Sequence, residues 1–122
     1  MHTNDVLAAL SALGHPRRLE AFRLLVTMGD QGLLAGEVAE RLDAKQNTMS
    51  TNLSVLLRAG LVRAVREGRG VRYSANMDSF GQMLQFLISD CCSGNPDSRR
   101  ELTALVGAAQ ADASGMPNPA HA

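Results

Sequence analysis

Long apolar runs are missing from this chain, and that absence narrows the possibilities first. No stretch of about 18 consecutive apolar residues is present to cross a bilayer. The opening MHTNDVLAAL lacks the basic start and apolar run of a secretory leader. A cytoplasmic protein with no membrane partner is therefore expected. Cysteine is nearly absent too, with Cys91 and Cys92 the only 2. Adjacent cysteines make a strained disulfide, which excludes a secreted, bridge-stapled scaffold and points to a reducing compartment. Net charge is also lacking, since 12 basic residues balance 12 acidic ones. With 122 residues there is material for one modest core. The expectation is a single domain over residues 1–109 followed by a disordered tail over 110–122.

A zero balance argues against a polyanionic partner only until the charges are placed. Between residues 45 and 74 the chain carries Lys45, Arg58, Arg63, Arg66, Arg69 and Arg72 against Glu67 alone. A basic segment in an otherwise acidic chain is the footprint of a nucleic-acid-binding surface. A solvated basic hairpin without a partner is the blander alternative.

Hydrophobic spacing marks the elements. Over residues 3–13, Val6, Leu7, Leu10 and Leu13 recur at helical spacing behind a capping Thr3 or Asn4. Gly14 ends that helix, and Pro16 suits the first turn of a second one with Leu19, Phe22, Leu25 and Val26 inward, up to Gly29. Residues 31–34 read as extended. Residues 35–42 form a short third helix on Val38, Ala39 and Leu42, and 46–58 form a fourth that buries Met49, Leu53, Leu56 and Leu57. After Gly60 the period drops to about two, and residues 61–66 and 71–75 flank Glu67-Gly68-Arg69-Gly70, a hairpin with a glycine-rich tip. Phe80, Met83, Leu84, Leu87 and Ile88 predict one more helix that stops near Gly94 and Pro96. Residues 99–109 keep helical spacing through Leu102, Leu105 and Val106, and Pro117 and Pro119 mark the tail. The expected fold is mainly α with a β-hairpin wing: four helices, two strands and a fifth helix.

The fourth helix is unusually polar on its outer side. Asn47, Thr51, Ser54 and Arg58 share that face, flanked by Gln46, Thr48, Ser50 and Asn52. Thr, Ser and Asn are mediocre helix formers, so their concentration needs a reason beyond helix stability. Side-chain amides and hydroxyls donate to and accept from base edges, which is what a helix entering a major groove requires. About ten residues on, Arg66, Arg69 and Arg72 lie near the hairpin tip, within reach of phosphates or a narrow minor groove. Double-stranded operator DNA is the partner these two elements predict. A dimer is expected as well, because Leu7, Leu10, Met83, Leu84 and Leu87 are more apolar surface than so small a monomer can bury.

Three stretches taken together, LGHPRRLEAFRLL (13–25), AGEVAERLDAKQNTMSTNLSVLLRAGLV (35–62) and REGRGVRYSAN (66–76), closely resemble the ArsR/SmtB family of bacterial metalloregulatory repressors. The resemblance covers roughly residues 5–90. It implies a homodimer with a winged helix-turn-helix in each subunit, bound to an operator until an inducer releases it. The family's recognition motif falls on Ser50 through Leu53, with Asn52 in place of its frequent histidine.

The resemblance also orders the sensing sites. The family's thiolate site at the start of the third helix corresponds here to Ala35 and Gly36, and its zinc site needs histidines, none of which lies between His15 and His121. The vicinal pair Cys91 and Cys92 resembles that of arsenic-responsive members, whose third cysteine is replaced here by Ser98. Trivalent arsenic is soft and three-coordinate. Three thiolates suit arsenite, whereas two suit methylarsenite, whose third position carbon already fills; antimonite is a further candidate inducer. Inert buried cysteines are one alternative. A thiol redox switch is another, although a helix C-terminus and Asp90 disfavour the thiolate it needs. A cysteine-dependent arsenate reductase is the rival from a different class. It is disfavoured because no oxyanion-cradling loop or base accompanies Cys91, and His15 is expected to pack or cap.

Overall fold

The computed structural model describes residues 1–91 and 94–113, so Cys92 and the end of the expected tail lie outside the described residues. The chain divides into two compact units, residues 1–81 and 82–122. The first holds α1 (Thr3–Leu13), α2 (Pro16–Met28), a short 3₁₀ turn (Gly29–Gln31), β1 (Leu33–Leu34), α3 (Ala35–Arg41), α4 (Gln46–Arg58), β2 (Val62–Glu67), β3 (Gly70–Ala75) and the start of α5 (Met77–Ser89). The second holds the rest of α5 and α6 (Pro96–Ala113). The helices and hairpin expected from the sequence are present in the expected order. A third strand joins the hairpin to make an antiparallel sheet ordered β1-β3-β2.

The core of the first unit is aliphatic: Leu25, Val38, Met49, Leu53, Leu56 and Leu61 are fully buried. Phe22 adds a tilted ring contact to Phe80 with centroids 5.1 Å apart. Along α1 the buried residues are Val6, Ala9 and Ala12, whereas Leu7 and Leu10 face outward. The spacing alone did not separate these two faces, because alanine and leucine alternate along the helix. Leu19, Val26 and Leu57 are likewise exposed rather than inward.

Local chemistry explains where elements stop and start. His15 caps α2, its Nδ1 accepting from the Arg17 N–H at 3.3 Å, and Pro16 fills the first helical position without a wasted donor. The next two residues cap other helices. Arg17 Nη1 donates to the Leu42 carbonyl at 2.8 Å, and Arg18 Nε donates to the Ala12 carbonyl at 2.6 Å, each satisfying an orphan acceptor at a helix end. The turn from α3 into α4 closes through a Schellman pattern, with Ala44 N–H on Ala39 O (2.9 Å) and Asp43 N–H on Glu40 O (3.2 Å). That pattern puts Asp43 at a φ of 51°, in the left-handed region. Helix α4 ends the same way, with Gly60 at φ 79° and Leu61 N–H on Leu56 O at 3.0 Å.

Several helix boundaries differ from the sequence expectation: α3 stops one residue early, at Arg41, and α5 ends at Ser89 rather than near Gly94 and Pro96. Helix α5 begins at Met77 because Asn76 Oδ1 caps it, accepting from the Ser79 N–H at 3.3 Å, while Asn76 Nδ2 donates to Gly60 O at 3.1 Å. Pro96 starts a helix instead of marking an end. Asn95 Oδ1 accepts from the N–H groups of Asp97 and Ser98 at 3.1 and 3.2 Å, the Asn-Pro pairing that favours a helix start. Helix α6 therefore spans 18 residues and continues past residue 109, where the tail is expected to begin.

Candidate nucleic-acid interface

Helix α4 follows α3 across the tight turn at Asp43. Its buried residues are Met49, Asn52, Leu53 and Leu56. Advancing about 100° per residue, these four span one narrow arc, and the polar set lies opposite. Gln46, Asn47, Thr48, Thr51, Ser54 and Arg58 are exposed, with Ser50 half-buried beside them. Asn52 does not join them. At 8% exposure it sits on the core side of the helix, so the family-motif position assigned to base reading faces inward. The sequence counted it as polar and therefore outward, but the helical period places it about 60° from Met49.

The start of α4 is open. Lys45, the residue before the first turn, makes no side-chain cap, and the Gln46 side chain lies against Gly36 at the start of α3. Asn47 Oδ1 accepts from the Thr48 N–H at 2.9 Å.

In the wing, Glu67 pairs with Gly70, so the connection is a two-residue turn of Gly68 and Arg69. Gly68 has φ 62° and Arg69 does not share the positive φ, the pattern of a type II′ turn that matches the strand twist. The three wing arginines are not equivalent. Arg66 and Arg69 are exposed. Arg72 is engaged: its Nε and Nη2 donate to the two carboxylate oxygens of Glu67 at 2.7 and 3.0 Å, and its Nη1 donates to the Gln31 carbonyl at 3.3 Å. The hydrogen bonds from Arg72 hold the Glu67 carboxyl below its ordinary range and raise the guanidinium in turn. Arg72 is therefore not the free phosphate-seeking cation expected from the sequence. Arg63 is also engaged, at 3.4 Å from Asp78.

Charge order along the chain does not reveal this link, although hairpin register contains its signal. Pairing of Glu67 with Gly70 requires Val65 opposite Arg72, which puts Glu67 and Arg72 on one face of the sheet.

Cys91 is an exposed free thiol in a turn beyond α5, which ends at Ser89. Cys91 is thus not carried on the last turn of α5, where the sequence places it, and Cys92 lies outside the described residues. Ser98, the position of the family's third cysteine, is half-buried in the first turn of α6.

Comparison with known proteins agrees with this geometry. The helix-turn-helix domain family matches residues 13–65. The chain is 32% identical over 89 residues to the biofilm growth-associated repressor of Agrobacterium fabrum, covering 73% of this chain and 74% of that protein. It is 31% identical over 86 residues to the transcriptional activator HlyU of Vibrio cholerae, covering 70% of this chain and 77% of that protein. HlyU has been solved in its reduced form, which matches with a TM-score of 0.55 at 27% identity over 70% of this chain and 87% of that one. The homodimeric winged helix-turn-helix DNA-binding domain of Mb0332 from Mycobacterium bovis, described as a possible ArsR-family transcriptional regulator, matches with a TM-score of 0.57 at 26% identity, over 73% of this chain and 81% of that one. These relatives are transcriptional regulators, which sets aside the arsenate reductase alternative. No helix among the described residues is long and apolar enough to cross a membrane. The matched helix-turn-helix region and these regulator relatives, together with the winged fold, place this chain in the ArsR family of helix-turn-helix transcriptional regulators.

Proposed function

We propose that the protein is a homodimeric repressor that binds operator DNA through α4 and the wing and leaves it when a trivalent arsenical bonds Cys91 and Cys92. The observation that carries the DNA half is the opposition of faces on α4, aliphatic within and hydroxyl- and amide-bearing without. In this reading Asn47, Thr48, Ser50 and Thr51 meet base edges, with Gln46 at the helix start. Arg66 and Arg69 meet the backbone. The homodimer draws support from Mb0332 and from apolar side chains left open in the chain, Leu7 at 58%, Leu10 at 40% and Leu84 at 42% exposure. Met83, at 4%, is already covered and contributes nothing to such a face.

The arsenical half rests on an accessible Cys91 thiol, on backbone that has left the helix, and on a second cysteine next to it in the sequence. Adjacent side chains on an intact helix diverge by about 100°, so the position of Cys91 outside the helix suits two sulfurs closing on one atom. Methylarsenite supplies two exchangeable hydroxyls: two As–S bonds replace two As–O bonds, and the thiol protons leave in water. Release requires that the ligand prefer the free form of the dimer, since equal affinity for both forms shifts nothing.

A second reading, a thiol redox switch, is favoured by the exposure of Cys91 and by the relative HlyU having been solved in a state specified as reduced. One titration separates the two. A duplex enriched from a random library by the protein is challenged with arsenite, methylarsenite, antimonite, zinc and peroxide. Arsenical release that is lost in Cys91→Ser and in Cys92→Ser supports arsenical sensing. Release by peroxide alone supports the redox switch, and arsenical release from the double serine variant refutes the assignment of the cysteines.

A further inference from the structure

We infer that Arg72 is the positioning residue of the wing, a link that fixes its pose and leaves backbone contact to Arg66 and Arg69; this rests on the DNA-binding reading above. Three facts carry it. The guanidinium spends every nitrogen on protein acceptors, two on Glu67 and one on the Gln31 carbonyl. Its side chain is only 30% exposed, against 54% for Glu67. The partners lie on opposite flanks of the sheet: Glu67 ends β2, Arg72 lies on the central strand β3, and Gln31 lies just before β1.

The geometry makes this a crosswise brace. A fork-to-fork carboxylate pair fixes both planes, which a lysine ammonium does not do. The third nitrogen extends the brace to a segment 41 residues earlier in the chain. Register then divides the wing's cations. Arg66 pairs with Val71 and Arg72 with Val65, so Arg66 and Arg72 project from opposite faces of the hairpin, and Arg69 stands in the turn. One N–H each remains on Nη1 and Nη2, but turning the guanidinium fork onto a phosphate would break the three bonds it makes and leave the Glu67 carboxylate bare beside a polyanion.

The test exploits a difference of sign. If Glu67 acted only through its charge, Glu67→Ala would tighten DNA binding and steepen its salt dependence. As half of a brace, its loss loosens the wing and weakens binding. Affinity for a library-enriched duplex is measured by anisotropy from 50 to 200 mM KCl. Arg69→Ala is expected to reduce the slope of log K against log salt by roughly 0.9 per subunit. Arg72→Ala and Glu67→Ala are each expected to weaken binding several-fold, by one factor at every salt concentration, with the slope retained. The double variant is expected to bind no more weakly than either single one, as members of one linkage should. A slope reduced in Arg72→Ala as much as in Arg69→Ala, or tighter binding by Glu67→Ala, overturns the inference. Amide exchange in the DNA-free protein gives an independent readout. Exchange at residues 33–34 and 70–73 is expected to quicken in Arg72→Ala and Glu67→Ala but not in Arg69→Ala, and unchanged exchange in all three overturns the brace. Failure to enrich any duplex would refute the DNA-binding reading alone, and amide exchange would then decide the brace.

Discussion

Replacing Gly32 with alanine tests how firmly the wing is seated on the body of the first unit. Gly32 lies at φ 62° and ψ −162°, and Gly29 lies nearby at φ 61° and ψ −151°. This backbone region is almost closed to residues with a Cβ and costs on the order of 1–3 kcal/mol to enter. The two positions share that cost and differ in space. A Cβ on Gly32 would stand 2.1 Å from the Tyr73 carbonyl oxygen, whereas one on Gly29 meets nothing within 4 Å. Relief at Gly32 must come from backbone, by moving β1 off β3. That movement breaks the pairings of Leu33 with Tyr73 and Leu34 with Arg72 and uncovers Leu33, which is 3% exposed. At about 1 kcal/mol net per hydrogen bond, Gly32→Ala should cost roughly 4 kcal/mol and Gly29→Ala roughly 2 kcal/mol. Urea melts of both variants give the comparison. Against a total stability of roughly 5–15 kcal/mol, the Gly32 variant is strongly weakened and the Gly29 variant is not. Losses equal to within about 0.5 kcal/mol would refute the claim that the close approach to Tyr73 sets the cost.

Three further outcomes are expected. Thr51→Ala should change which duplexes are preferred in competition with random DNA, while Asn52→Ala should lower stability by roughly 1 kcal/mol and leave the preference order intact; a changed order in Asn52→Ala would place that side chain at the bases. Asp43→Gly should raise the urea midpoint, gaining up to about 1 kcal/mol by relieving the left-handed backbone, and a loss would show that the aspartate side chain has a further role. The Glu67 carboxyl is held below its ordinary value by Arg72, so its contribution is present above the unfolded-state pKa and is lost as the pH falls through the lowered one. Amide exchange in the wing, corrected for its intrinsic pH dependence, should therefore quicken only in acid below the ordinary carboxylate range, and Glu67→Ala should abolish that pH dependence.

Much of the architecture was legible because it is written in short-range chemistry. Helices α1 and α4 run over Thr3–Leu13 and Gln46–Arg58, the spans their periodicity predicts. The hairpin was fixed by a change of period around a Gly-Arg turn. Less legible was which apolar residues a helix buries when small and large ones share its circumference. Val6, Ala9 and Ala12 outcompete Leu7 and Leu10 for the core of α1, since a helix packs closest where its side chains are smallest. Pro96 was misjudged for a different reason. Proline closes a helix from within but opens one from its first position, and only the Asn95 cap distinguishes the two.

Charge is subject to the same limit, because its order runs along the chain while ion pairs form across it. Six cations against one carboxylate between residues 45 and 74 mark a locally basic segment. Folding brings Asp78 to Arg63 from outside that window and turns Glu67 onto Arg72 within it. Among the described residues, Lys45, Arg58, Arg66 and Arg69 remain without a carboxylate partner. The count thus overstated the number of cations and understated their order. Two flank the polar face of α4, at its start and its last turn, and two crown the wing. That placement favours DNA more strongly than the larger count did. Phosphates fix register while base edges supply specificity, so a reading helix needs cations at its margins, with amides and hydroxyls between them. Arg58→Ala should accordingly weaken specific and random duplexes by a similar factor and reduce the salt slope by about 0.9 per subunit. A variant that lost specific binding while holding random DNA as tightly as before would place Arg58 at the bases and overturn this ordering.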